Sequence, residues 1–272
     1  MTAKSLPVWL AVTLRLVPLV VGFSLLGVIG LCGFRAAVPN ESLRGASDAV
    51  GNYLQTVGSI YAVLLAFIVY VVWGQFNDSR TYVEREATAL VDLHRTASGL
   101  PRATRDHIQS ALRGYVDDVL AKEWEAMARH HEDVIEDVGT HLDHVWAAIH
   151  VCKPSNECQH TVYSEVLSRF NDLTDMRTSR LTSSRARIPI MMKFLLYLGA
   201  LIVIGSIYLM AVDPFWVHVV MAGALSGAVA HILYLIVDLD NAFSGQLQVS
   251  KGAFERALRT FDRVTHQFEA AA

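Results

Sequence analysis

The residues best equipped for chemistry in this chain fall into four sets. Asp133, Asp137, His141 and His144 follow one another at helical spacings of four, four and three. Carboxylates and imidazoles placed so on one helix face can hold a divalent metal. His130, His131 and His150 lie close by. That face lies opposite the apolar stripe of its segment, which is where a plain solvated surface would lie. The second set is two carboxylate pairs, Glu84 with Glu86 and Asp238 with Asp240, each just beyond an apolar run. Rings of such acids bind cations at channel mouths. The competing assignment pairs them with Arg80, Arg85, Arg95, Arg185 or Arg187 in interfacial salt bridges.

The other two sets lie inside apolar runs, where polar groups are costly and are often functional. Asn52, Gln55, Ser59, Ala62, Ala66, Tyr70, Trp73 and Asn77 form one stripe at helical spacing. A small and polar stripe is what an ion path requires, with Asn52, Gln55, Ser59 and Ala62 as its candidates, and also what a tight helix interface requires. Gly223, Gly227, His231, Tyr234 and Asp238 form a second stripe. The glycines suit a packing seam, and His231 is either a candidate for ion or proton passage or a satisfied buried histidine. The sequence holds no Ser/His/Asp, zincin or nucleotide-loop pattern. No enzyme activity and no cofactor are therefore expected. The formal net charge of -3 gives no basic field for nucleic acid.

What must position these sets is a membrane. Hydrophobic residues make up 53% of the 272 and charged residues only 18%, against about 45–50% and about 25% in ordinary soluble domains. The excess is concentrated in four runs long enough to cross a bilayer. They extend over about Trp9–Phe34, Val57–Phe76, Pro189–Val212 and Phe215–Val237. Trp or Tyr stands near an end of each, where amphipathic rings favour the headgroup layer. The first run is too long for a signal peptide and has Arg35 where a small-residue cleavage site would stand, so it reads as a retained anchor, with Arg15 able to snorkel toward Lys4.

Orientation follows from Lys and Arg near the span ends. The connection between the first two spans carries only Arg35 and Arg44, and the turn between the last two carries Asp213 and no base. The opposite side carries Lys4, Arg15, Arg80, Arg85, Arg180, Arg185, Arg187, Lys193, Lys251 and Arg256. Both termini and the central segment are thus expected in the cytoplasm, in a cell inner membrane. Cys152 and Cys158 would be reduced there, although they could pair in an oxidising compartment.

The division expected is residues 1–76 for spans one and two, 77–187 for a cytoplasmic helical bundle, 188–238 for spans three and four, and 239–272 for a tail. The bundle reads as four helices. The first continues span two through Val83, Ala87, Leu90, His94 and Ala97 to Leu100, making one helix of about 40 residues. The next runs from Pro101 to near Met127, a third carries Ile135, Val138, Leu142, Val145 and Ile149, and a fourth runs from Cys158 toward Pro189. In the tail, Phe254, Leu258 and Phe261 share a face beside Lys251, Arg256, Arg259 and Arg263. That helix suits either an anionic leaflet or the bundle itself. The fold class is all-α: four transmembrane spans with a cytoplasmic helical bundle extending from spans two and three.

Four stretches resemble the bacterial bestrophin-like domain family. They are Gly58-Ser-Ile-Tyr-Ala-Val-Leu-Leu-Ala-Phe with Trp73, Val83-Glu-Arg-Glu-Ala and Leu93-His-Arg; Leu100-Pro with Tyr115 and Glu123-Trp-Glu-Ala-Met; Arg180-Leu, Arg185 and Leu198-Gly-Ala-Leu; and Asp238-Leu-Asp-Asn-Ala-Phe-Ser-Gly with Val249-Ser. The resemblance covers nearly all of the chain beyond the first span. His94 stands where the family pattern has Tyr, and Ala242 where it has Pro before Phe243, which loosens a turn. The family is named for bestrophins, which are oligomeric anion channels. The resemblance implies a homo-oligomeric, channel-like protein for a small ion, whose surroundings are the lipid bilayer and further copies of itself. A membrane-anchored sensor or scaffold, whose bundle binds a partner, is the alternative.

Overall fold

A computed structural model describes residues 8–129 and 131–271, with side chains over 16–129 and 131–266. Lys4, Arg15 and His130 lie outside the described residues or side chains. The described residues form helices joined by short non-helical connections, with no strand. The elements are α1 (Val8–Ala37), α2 (Asn40–Arg44), α3 (Ser47–Thr96), α4 (Arg102–Asp118), α5 (Trp124–Arg129), α6 (Glu132–Val151), α7 (Glu157–Arg185), α8 (Ile190–Tyr208), α9 (Phe215–Leu239) and α10 (Gly252–Ala271). Four helical segments are long and apolar enough to cross a membrane. The α3 helix runs unbroken for 50 residues, about 75 Å at about 1.5 Å per residue. It begins ten residues before the expected start because Asn52, Gln55 and Thr56 do not interrupt a helix.

The chain divides into two compact units. The first comprises residues up to 74 and 187–240. Here α1 and α9 pack along small residues. A Cβ built on Gly227 would stand 2.4 Å from Ser24 Oγ, and one on Gly223 would stand 3.3 Å from Val28 Cγ2. These two glycines form the packing seam. Gly199 of α8 lies under the Tyr61 ring, where a Cβ would come within 2.5 Å, and the Tyr61 hydroxyl donates to the Leu196 carbonyl at 3.0 Å.

The second unit comprises residues 75–186 and 241–272. The later part of α3, together with α4 to α7 and α10, encloses one apolar core. Each stripe expected from the sequence is buried in it: Val83, Ala87, Leu90, His94 and Ala97; Ile108, Leu112 and Tyr115; Ile135, Val138 and Leu142; Val166, Phe170 and Leu173. The face of α10 carrying Phe254, Ala257, Phe261 and Val264 is buried in the same core, so that helix packs on the bundle rather than along a leaflet.

The fourth bundle helix ends short of Pro189, where the sequence pattern starts the third span. Helix α7 stops at Arg185 and α8 starts at Ile190, with an extended break before it. Pro189 causes the break: it has no N–H to donate and excludes helical backbone from the residue before it.

Candidate functional site

The α3 stripe is exposed along its length in this single copy. Asn52, Gln55, Ser59, Ala62, Ala66, Tyr70 and Trp73 all lie on the open side of the helix, while Tyr61, Leu65, Ile68 and Val72 are buried against the rest of their unit. The hydroxyls of Thr56 and Ser59 donate to the Asn52 and Gln55 carbonyls at 2.9 and 2.7 Å. The polar groups therefore occupy the first three turns and small or aromatic groups the rest. His231 is also exposed on α9, so it is not the satisfied buried histidine that the sequence left open.

The buried histidine of the spans is His218, fully enclosed near the start of α9. Its Nε2 lies 2.8 Å from the Ile207 carbonyl and its Nδ1 lies 2.9 Å from Arg35 Nη2. A carbonyl only accepts and a guanidinium only donates, so Nε2 carries the proton and Nδ1 accepts. Arg35 also donates to the Met210 carbonyl at 2.9 Å and to Asn40 Oδ1. Asn40 and Arg44 both bond Asp213. This network clamps the connection around α2 to the α8–α9 turn. Sequence reading passed over it because its members are separated by more than 160 positions and each is unremarkable alone.

The four carboxylates are placed differently from one another. Glu84 forms a two-oxygen contact with Arg256 of α10 at 2.9 and 2.7 Å, and both side chains stay half exposed. Asp240 is buried, bonded to Lys193 Nζ at 2.7 Å and to the Ile188 N–H at 2.6 Å. Asp238 is partly buried. Glu86 is wholly buried and does not line a mouth. Its oxygens accept from Arg180 Nε at 2.6 Å and Nη2 at 3.1 Å and from the Tyr115 hydroxyl. Ion pairing thus accounts for Glu84, Glu86 and Asp240: Arg256 holds Glu84, Arg180 holds Glu86, and Lys193 holds Asp240, which also acts on the charge of Arg187, one of the arginines named from sequence.

Glu86 belongs to a polar cluster inside the second unit. Arg180 Nη2 reaches Glu123 Oε2 at 2.7 Å and the Tyr115 oxygen at 3.2 Å, and its Nη1 reaches Met127 Sδ at 2.9 Å. Arg177 donates to the Tyr115 oxygen and to the Ile135 carbonyl, each at 2.8 Å. Its Nη2 also lies 2.7 Å from Glu123 Oε1, an ion pair outside hydrogen-bond angles. Two guanidiniums and two carboxylates cancel in charge. Burial opposes the charge on Arg180, but Glu86 and Glu123 outweigh it and hold the guanidinium well above its ordinary value. Burial and the Glu86 charge push the Tyr115 hydroxyl up as well. Glu123 reaches this cluster because the helix is π-wound over Val119–Glu123, which shifts the face of the following turn.

The sequence carried a signal for this cluster. The buried positions of α7 are Val166, Phe170, Leu173, Arg177, Arg180 and Ser184. The apolar period therefore continues without a break into two arginines. Buried charges need partners, so a core-facing Arg pair predicts core-facing acids.

The histidine–carboxylate set does not assemble into a metal site. Asp133, Asp137 and His144 are exposed, and His141 instead lies 3.0 Å from Asp118 of α4. The bonds from His141 and Lys122 hold the Asp118 carboxyl below its ordinary range. Among the described residues, no three His, Cys, Asp or Glu come together as metal ligands would. The face is a solvated one because α4 takes up the only imidazole that turns inward. Cys152 and Cys158 are both unpaired thiols.

A sequence profile of the bestrophin-like domain family matches residues 21–254. No curated protein matches the sequence. Among solved structures, a point variant of a bacterial bestrophin homologue from Klebsiella pneumoniae superposes with a TM-score of 0.68 at 13% identity, covering 91% of this chain and 99% of that one. A second variant of that homologue gives 0.65 at 14% identity, covering 94% and 99%.

Proposed function

The chain belongs to the bestrophin-like domain family, and from that premise we propose that it is a homo-oligomeric membrane protein that conducts a small ion along the exposed stripe of α3. The observation that carries this reading is the stripe itself. Gln55, Thr56 and Ser59 lie on the open side of a helix otherwise apolar enough to span. Polar side chains at that depth are disfavoured against lipid and belong beside a water-filled cavity or another protein surface. Four spans from one copy leave no room to enclose such a path, so further copies must close it. Ala62 and Ala66 allow α3 helices from neighbouring copies to approach closely. His231, exposed on α9, is a second candidate for the path. The Lys and Arg residues gathered on one side of the spans support cytoplasmic termini and a cytoplasmic central segment in an inner membrane.

The test is flux from liposomes. Wild-type protein should release small ions, and Ser59→Leu should block release while leaving particle mass unchanged, because an apolar constriction dewets. Mass photometry in nanodiscs should show more than one copy per particle. A monomer, or wild-type protein inert to cations and anions alike, would transfer the assignment to a membrane-anchored scaffold.

A further inference from the structure

We infer that the first unit carries a binding groove for one acyl tail of a membrane phospholipid, separate from the α3 stripe. The groove has a cavity volume of about 470 Å³ and is lined by α1, α8 and α9, with Phe23, Tyr197, Leu201, Ile204, Leu233 and Val237 prominent on its walls. No α3 residue contributes, so the face proposed for assembly and this groove are built from different helices. The volume lies within the range of about 300–1,000 Å³ typical of small-molecule sites.

Depth and length identify the occupant. The groove runs on α8 from Tyr197 to Ile204. Lys193, one turn before Tyr197, sits on the same helix stripe and is tied to Asp240 at the end of α9. From Lys193 to Ile204 is about 16 Å along the axis, at about 1.5 Å per residue. That is half of the roughly 30 Å hydrocarbon core, or one leaflet. The groove therefore starts one helical turn beyond a charged residue, has two amphipathic rings, Tyr197 and Tyr234, on its walls, and ends on α8 about one leaflet's depth from that charge. A phospholipid has this order of parts: a phosphate at the level of a cation, a polar–apolar junction, and a tail of one leaflet's length. The Lys193 ammonium has three donors and Asp240 takes up one contact, which leaves capacity for a lipid phosphate. The medium around a span is itself lipid tail, so the occupant is always at hand.

The experiment uses full-length protein in nanodiscs of phosphatidylethanolamine and phosphatidylglycerol, doped with a phospholipid carrying a diazirine midway along one tail. After irradiation, labelled residues are mapped by mass spectrometry. Leu201 and Leu233 should be labelled about tenfold more than Ile202, which lies at the same depth of α8 but outside the groove; that ratio corresponds to a preference of about 1.4 kcal/mol for the bound over the bulk tail. Ala230→Trp, which fills the groove from a buried lining position, should bring labelling at Leu201 down to the Ile202 level. Equal labelling of Leu201, Leu233 and Ile202 in wild-type protein would overturn the proposal. So would efficient disulfide crosslinking between copies through Leu233→Cys, which would place protein in the groove. The wild-type comparison decides even if Ala230→Trp does not fold.

Discussion

Arg180→Met is the most informative single perturbation of the second unit. Arg180 is fully buried and holds Glu86, Glu123, the Tyr115 oxygen and Met127 Sδ at once. Methionine fills a similar volume but removes the positive charge. The cluster then keeps two carboxylates against the single guanidinium of Arg177, a net buried charge of one. Removing one partner of a buried pair costs about 3–5 kcal/mol. At about 2–4 °C per kcal/mol for chains of this size, the melting temperature should fall by about 6–20 °C. Arg44→Met is the comparison, since Arg44 and Asp213 are 66% and 58% exposed and such pairs contribute about 1 kcal/mol or less. Arg180→Lys should fall between the two, because an ammonium cannot reproduce the fork that holds both acids. The assay is thermal unfolding in detergent, followed by loss of the monodisperse particle. Combining Arg180→Met with Glu86→Gln should cost less than the sum of the two, since the second change removes the stranded charge. A loss for Arg180→Met no larger than for Arg44→Met would refute the reasoning that this cluster organises the bundle.

Three further outcomes follow from the geometry. His94 is buried, stacked on Phe261 with ring centroids 4.2 Å apart, and burial together with the Arg113 charge lowers its pKa to about 4. The unfolded chain takes up its proton near pH 6.5 while the folded chain stays neutral to about pH 4, so stability should decline by about 3 kcal/mol as pH falls through that window; His94→Phe, compared across the same pH series, should remove this part of the slope. Gly199→Ala should cost about 1–3 kcal/mol by overpacking against the Tyr61 ring, whereas Gly223→Ala, whose Cβ would meet a Val28 methyl at 3.3 Å and the Ser24 carbonyl at 3.9 Å, should melt within a few degrees of wild type. In protein without native cysteines, Ser42→Cys should react with a membrane-impermeant thiol reagent in intact cells and Asn156→Cys should not; the reverse pattern would invert the proposed orientation.

The helices were legible in the sequence because their signals are local. Runs of apolar residues marked the four spans, and stripes such as Ile135, Val138, Leu142, Val145 and Ile149 marked the faces that the second unit buries. Pro189 marks a boundary for the same reason: a proline between two helical runs ends one and starts another. The polar sites were less legible because partnership is not local. Glu86 looked like a mouth carboxylate from its position beside a span, yet its partner lies 94 positions away in Arg180. Glu123 depends on a π turn that no residue pattern announces. His218 and Arg35 are brought together only by the packing of α1 against α9. Conversely, the Asp133–His144 set had the right types and spacing for a metal, but the period that aligned them also placed most of them in solvent.

In the proposed assembly the exposed face of α3 meets water at membrane depth. The direct measurement is ion flux from liposomes containing Ser59→Cys protein whose Cys32, Cys152 and Cys158 have been replaced by Ser. Flux should be present before treatment and lost on addition of a charged, water-soluble thiol reagent, with no loss for Ile68→Cys, whose side chain is buried against its own unit. Unmodified Ser59→Cys in assembled protein that still conducts would contradict it.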